Sequence, residues 1–148
     1  GGVEVEGNQF HRVLNKTNFD KNNDYYVIIV YCPAAPYDDK GKKSYATKIL
    51  KFIEYMEEKG YKNPIVSVTL DFWNYHIKPY GDEVWKKAKL LLSSFGPNDG
   101  TIPEDPKYYL EVPHGANVTH IWKFTSHGDI DGIYKKYTDL CLIRSEFE

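Results

Sequence analysis

The sequence predicts one α/β domain with a mostly parallel sheet, as an open sheet or a barrel. The apolar run Tyr25–Cys32 (YYVIIVYC) is typical of a strand buried on both faces. An amphipathic segment, Lys43–Lys59, separates it from a second apolar strand, Ile65–Leu70. Strand, helix, strand, helix, strand is the order expected of parallel βαβ units. The 148 residues suit a single domain spanning residues 1–148.

The amino-terminal third contains a short helix, a polar connection and the first strand. Residues 7–15 are predicted to be helical, with Phe10, Val13 and Leu14 on one face. Residues 16–24 are rich in Asn and Asp and connect this helix to Tyr25–Cys32. The following Pro33 ends the strand, because proline cannot continue a central ladder.

The segment Lys43–Lys59 gives the clearest helix signal. Its apolar positions recur at helical spacing, at Ala46, Ile49, Ile53 and Met56. Ser44 is placed to cap its start and Gly60 to end it.

The rest of the chain alternates short elements with loops. Residues 96–115 contain four prolines and are predicted to be a loop, and residues 128–132 a turn. The predicted elements are a helix at Asp82–Lys87 and strands at Leu90–Ser93, Val118–Phe124 and Leu140–Ile143.

Composition and charge exclude several classes of partner. With 19 basic and 21 acidic residues the net charge is -2, which predicts no nucleic-acid partner. No apolar run approaches the roughly 20 residues of a membrane-spanning helix, so we expect no membrane insertion. His114, His120 and His127 match no metal-binding spacing, and we predict neither a metal nor a cofactor.

A resemblance to a known family rests on the stretch Ile121–Leu140, IWKFTSHGDIDGIYKKYTDL. A Trp, an aromatic residue, Thr, Gly, a β-branched residue, Gly-Ile and Asp-Leu follow one another at set spacing. This pattern resembles the closing motif of the family 25 glycoside hydrolases, the Chalaropsis-type lysozymes. The matching residues are Trp122, Phe124, Thr125, Gly128, Ile130, Gly132, Ile133, Asp139 and Leu140.

A second stretch extends the resemblance toward the amino terminus. Asn63-Pro64-Ile65, leading to Phe72-Trp73, is similar to a family strand that enters a loop with a Phe-Trp pair. The resemblance runs from about the first helix to the end of the chain, without the family's opening strands. It implies a partial or modified TIM-like β/α barrel, a secreted or extracellular location and a peptidoglycan-like glycan as ligand.

The chain departs from the family where the acid chemistry belongs. The family's strand before the long helix ends in Asp-x-Glu, and the alignment places Val30 and Cys32 at those two positions. Asp139 alone matches one of the family's acidic positions. Glycoside cleavage of this kind needs two carboxyl groups. A cysteine thiol has a reference pKa of about 8.5 and is a poor proton donor for this reaction. The resemblance therefore assigns Asp139 and Cys32 to the catalytic positions of a site that has lost its acid pair.

Five further residues are candidates for binding a sugar. Asp71, Trp73 and Tyr75 follow the carboxyl end of a predicted strand, where α/β folds place ligands. Trp122 and Phe124 alternate on one strand and so share a face. Aromatic side chains at these positions suit either a sugar-stacking platform or ordinary core packing, and Asp71 suits either a ligand or a turn.

Three functions follow from these observations. The leading one is a non-catalytic or weakly catalytic lysozyme-like domain, a pseudoenzyme that binds glycan or serves as a protein-interaction scaffold. The second is an active muramidase whose missing carboxylates come from a partner chain. The third is a thioredoxin-like thiol module, because Cys32 follows a β-branched strand; Ala35 stands where a second cysteine would complete a CxxC pair.

Two further expectations concern assembly and covalent modification. A barrel without its opening strands exposes a sheet edge, so we expect a protein partner or an oligomer to cover it. Cys32 and Cys141 are too few for a disulfide framework, and the sequence leaves open whether they pair. Asn15 and Asn117 begin glycosylation sequons.

Overall fold

The computed structural model describes residues 2–30, 39–78, 81–105, 112–113, 115–134 and 137–144, with the backbone alone for 39–44. Ten elements follow one another in the chain. They are α1 (Val3–Leu14), β1 (Tyr25–Ile29), α2 (Asp39–Glu58), β2 (Asn63–Thr69), the single turn α3 (Leu70–Phe72), a π-helical turn (Trp73–Ile77), α4 (Gly81–Trp85), β3 (Lys89–Ser93), β4 (Ile121–Gly128) and β5 (Thr138–Ile143).

The five strands form one sheet in the order β1-β2-β3-β4-β5. Neighbours from β1 to β4 run parallel, and β5 runs antiparallel to β4. The sheet curls into half of a barrel, with β1 at one end and β5 at the other. The predicted α/β class and partial barrel with a mostly parallel sheet are therefore confirmed.

The main core lies between the sheet and α2. Val66, Val68, Leu90 and Leu92 project from the two central strands and are at most 2 % exposed. From α2, Ala46, Ile49 and Ile53 pack into the same cluster, and they belong to the helical stripe that the sequence indicates. Burying an aliphatic side chain of this size is worth about 1.5–3 kcal/mol relative to leaving it exposed, so this layer holds helix and sheet together.

A second cluster fastens α1 to α2 and β1. Tyr26, Met56 and Tyr61 are buried, with Phe10 and Leu14 of α1 packed against them. The Phe10 ring centroid lies 6.0 Å from that of Tyr26. The predicted apolar face of the first helix therefore contacts the core through Phe10 and Leu14, whereas Val13 is 59 % exposed.

The ends of α2 agree only in part with the sequence. Gly60 has φ +92°, and the Tyr61 N–H donates to the Met56 carbonyl, so glycine ends the helix as predicted. The predicted cap at Ser44 is wrong, because the helix begins at Asp39 and Ser44 lies inside it.

Strand β1 differs from its prediction in burial. Tyr26 is 2 % exposed, but Val27 and Ile29 are 44 % and 74 % exposed. The prediction that both faces are buried is wrong because β1 is the end strand of an open half-barrel, and nothing among the described residues covers its inner face. The end predicted at Cys32 lies outside the described residues.

The later strands lie close to their predicted positions. Strand β4 spans Ile121–Gly128 rather than Val118–Phe124. It extends through polar residues because Thr125 and Gly128 pair with Leu140 and Thr138 of β5. Among the helices in the described part of the chain, none is long and apolar enough to cross a membrane.

Candidate functional site

The inner, concave face of the half-barrel carries side chains in rows across the strands. Side chains alternate between the two faces along each strand. Val66 and Leu90 face the helices, and the residues on either side of them in each strand face the concave side. The register aligns Thr69 with Ser93, Ser93 with Lys123, and Lys123 with Cys141. This polar row lies near the carboxyl ends of the parallel strands, where β/α barrels build their active sites.

Asp139 lies on this face and pairs with Lys123. Its Oδ2 is 2.7 Å from the Lys123 Nζ, and the two side chains are 58 % and 23 % exposed. The Lys123 Nζ also lies 5.9 Å from the centre of the Phe95 ring. Asp139 is the one carboxylate within the five strands. A cation and an anion at contact distance give this face hydrogen-bond donors and acceptors for sugar hydroxyls.

Cys141 is the next residue of β5 on the same face and a free, exposed thiol. Partial burial raises the pKa of the Cys141 thiol; the nearby Lys123 lowers this pKa and Asp139 raises it. The thiol therefore stays protonated at neutral pH and adds no second anionic group beside Asp139.

The group after β2 divides into one buried and two exposed residues. Trp73 is 0 % exposed, and its ring centroid lies 4.8 Å from that of Trp85. Tyr75 is 53 % exposed, and Asp71 is exposed as well. Trp73 is thus a core residue and not the binding-rim residue that its position after a strand suggests, because the π-helical turn directs its indole into the protein.

Trp122 and Phe124 do share a face, but it is the face opposite Lys123. Trp122 pairs in register with the core residue Leu92, and the two aromatic residues are 3 % and 5 % exposed. The Trp122 Nε1–H donates to the Ser94 carbonyl at 2.8 Å. The structure therefore places both rings in packing contacts rather than on an open stacking platform beside Asp139.

The loop after β3 begins where the sequence predicts a loop, but its hydrogen bonds to β4 were not predicted. Asn98 has φ +53°, and its Oδ1 accepts from the Thr125 Oγ1 and the Ser126 N–H, both at 2.8 Å. The Gly100 N–H donates to the Thr125 Oγ1 at 3.2 Å. These bonds fix the loop against β4 near the carboxyl end of the sheet. The run Pro97-Asn98-Asp99-Gly100 in this loop is a strong turn signal.

Val30 and Cys32 are the positions that the alignment places at the family's Asp-x-Glu. Val30 is half-buried and packs against the main core cluster, on the side of the sheet that faces α2, and its backbone N–H donates to the Ser67 carbonyl. Cys32 lies outside the described residues. No group of three or more potential metal-ligating side chains exists among the residues that the structure describes.

The fold and the concave face define a class of structure, a partial β/α barrel with a mostly parallel sheet. Solved structures of family 25 lysozymes are similar to this chain in fold, over almost all of its length. The thiol-module alternative receives no support from these similarities. No protein-family model matches the sequence, and no curated protein matches it either.

Three structures carry this comparison. The glycosyl hydrolase 25 GHIP of Streptococcus pneumoniae, described as a virulence factor participating in host cell invasion, is 19 % identical with a TM-score of 0.66. The spore cortex lytic enzyme SleM of Clostridium perfringens is 18 % identical with a TM-score of 0.68. A family 25 lysozyme from Aspergillus fumigatus is 14 % identical with a TM-score of 0.61.

The matches cover almost all of this chain but only part of each solved chain. The matches include 97 %, 96 % and 98 % of this chain, but 53 %, 44 % and 63 % of the three solved chains, in the same order. The chain thus spans roughly half the length of these proteins.

Proposed function

We propose that this domain binds a peptidoglycan-like glycan on its concave face without cleaving it efficiently. The observation that carries the proposal is the single carboxylate of the five strands, Asp139, held in an ion pair with Lys123. Cleavage by the usual mechanism needs one protonated and one ionised carboxyl group on opposite sides of the scissile bond. Asp139 accepts from the Lys123 ammonium group, and the five strands contain no second carboxyl group to complete such a pair.

Replacing Asp139 by alanine is expected to weaken glycan binding about tenfold or more. A hydrogen bond to a charged group is worth about 1.5–3 kcal/mol, and tenfold corresponds to about 1.4 kcal/mol. The measurement is co-sedimentation of the purified chain with insoluble peptidoglycan. An exposed ion pair contributes about 0–1 kcal/mol to stability, so the variant should remain folded.

Asp131→Ala is the matched control, because Asp131 is also an exposed aspartate but lies in the turn after β4. We expect it to bind like the unmodified chain. Equal binding by all three proteins would contradict the concave-face site. Clearing of a bacterial cell-wall suspension that Asp139→Asn abolishes would instead support the muramidase alternative, with its second carboxylate coming from another chain or segment.

The end strand β1 favours a second role, as a protein-interaction scaffold. Its outer side has no strand partner among the described residues. Beside it lies a groove of about 470 Å³ between α1, β1 and α2, lined mainly by apolar residues including Val27, Ile29 and Phe52. Unpaired backbone groups next to exposed β-branched side chains are a template for adding a strand. We propose that the β1 edges of two copies pair with each other.

Ile29→Lys is expected to abolish this self-association, because it sets a charge beside the pairing edge. Analytical ultracentrifugation should show the unmodified chain above its monomer mass of 17.2 kDa and the variant at that mass. Val13→Lys is the control, since Val13 is 59 % exposed on α1 and does not line the groove. If the unmodified chain sediments as a monomer, the proposed pairing of two β1 edges is contradicted.

A further inference from the structure

A second pocket opens at the amino-terminal ends of the strands, at the end of the sheet opposite the polar row with Lys123. Its volume is about 310 Å³. The start of β2, the turn between α4 and β3, and the segment before β4 form its walls. The polar and charged residues in these walls are Lys62, Asn63, Lys86, Lys87, Lys89, Asn117 and His120.

The pocket is cationic although the chain as a whole has a net charge of -2. Four lysines line it, and its described wall contains no carboxylate. Lys87 also pairs with Glu57, at 3.3 Å, and with Glu54, at 4.0 Å. Lys62 and Lys86 are exposed, and neither has a carboxylate partner in the described part of the chain. Several ammonium groups around one cavity create a local field that attracts an anion.

His120 adds an uncharged imidazole ring to this wall. Its Nδ1 accepts a hydrogen bond from the Leu90 N–H at 3.1 Å, so the proton of the neutral ring lies on Nε2. Burial lowers the pKa of His120, and the positive charges of Lys89 and Arg144 lower it further. The ring is therefore neutral near pH 7, with its proton on Nε2.

The wall also includes aromatic surface. Tyr25 is 38 % exposed, and the Lys89 Nζ lies 6.0 Å from the centre of its ring. Trp85 lines the pocket as well, and its Nε1 is a buried donor with no partner among the described residues. Ligand pockets range from about 300 to 1,000 Å³, so this one fits a small ligand that is larger than a single ion.

We propose that this pocket binds a phosphate ester of the size of a monosaccharide phosphate. The ammonium groups of Lys62, Lys86 and Lys89 face the phosphate dianion, and the aromatic wall contacts the sugar. This site is separate from the concave face and does not rest on the glycan-binding proposal.

The test is isothermal titration calorimetry with glucose 6-phosphate, inorganic phosphate and glucose. We expect glucose 6-phosphate to bind more tightly than inorganic phosphate, and glucose to give no signal. Lys62→Gln/Lys86→Gln should weaken the binding of glucose 6-phosphate about tenfold or more, which is about 1.4 kcal/mol. Added salt should weaken it too, because exposed charges are screened.

Lys16→Gln/Lys51→Gln is the matched control, since it removes the same charge from two exposed positions, one in the turn after α1 and one on α2. It should bind like the unmodified chain. An equal loss in this control would show general electrostatic attraction and overturn the site, as would undiminished binding by Lys62→Gln/Lys86→Gln. Phosphate binding as tight as that of the ester would overturn the sugar contact. Asp139→Ala should leave this binding unchanged, which separates the outcome from that of the glycan experiment.

Discussion

Replacing Trp73 by alanine is expected to lower the free energy of unfolding by about 3–5 kcal/mol. Trp73 is fully buried, belongs to the main core cluster and packs its ring against Trp85 at 4.8 Å between centroids. Truncation removes a large apolar surface and leaves a cavity that the surrounding side chains fill only in part. A loss of this size is a large fraction of the stability of a domain of this length.

The measurement is urea denaturation followed by tryptophan fluorescence and circular dichroism. Tyr75→Ala is the matched control, because Tyr75 lies two residues away in the same turn and is 53 % exposed. It should cost about 1 kcal/mol or less. Similar losses for the two variants would contradict the assignment of Trp73 to the core and of Tyr75 to the surface.

Replacing Gly81 by alanine is expected to cost about 3 kcal/mol, at the upper end for overpacking a core. A Cβ at this position would overlap the six-membered ring of Trp73. The ring has little room to retreat, since Trp85 packs against it. The first residue of α4 must therefore be glycine for the indole to fill the space beside it.

A double-mutant cycle in urea tests this overlap directly. With Trp73→Leu already present, Gly81→Ala should cost at least about 1 kcal/mol less than it does alone, because the clashing ring is gone. Gly2→Ala is the control, since a Cβ there meets nothing within 4 Å, and it should cost about 1 kcal/mol or less. Purely additive losses for Gly81 and Trp73 would show that the ring is not the obstacle.

The sequence predicts the central elements well because their burial is set by local pattern. The sequence shows apolar residues in β2, in β3 and in one stripe of α2, and these residues form the main core cluster. Strand β1 reads the same way, yet its inner face is exposed. A run of apolar residues specifies that a strand needs neighbours on both faces, but it carries no information on whether those neighbours are part of the same chain.

The candidate site is harder to predict, because it depends on which way side chains turn. The sequence identifies Asp139 through the family resemblance, but its ion pair with Lys123 arises from the pairing of β4 with β5. Trp73 follows a strand end, as a binding residue would. Its inward direction is set by a π-helical turn and by Gly81, eight residues along the chain, and neither has a sequence signal of its own.

The order of strands in the sheet has a consequence for how the domain is assembled. Because spatial order follows chain order from β1 to β5, each pairing joins strands that are consecutive along the chain. Three of these pairings are parallel, with Tyr25 opposite Asn63, Ile65 opposite Lys89 and Leu91 opposite Ile121. Each closes a long loop, and the entropy of that closure slows folding. The sheet can grow one strand at a time from either side, and joining an additional strand at β1 would require no existing pair to separate.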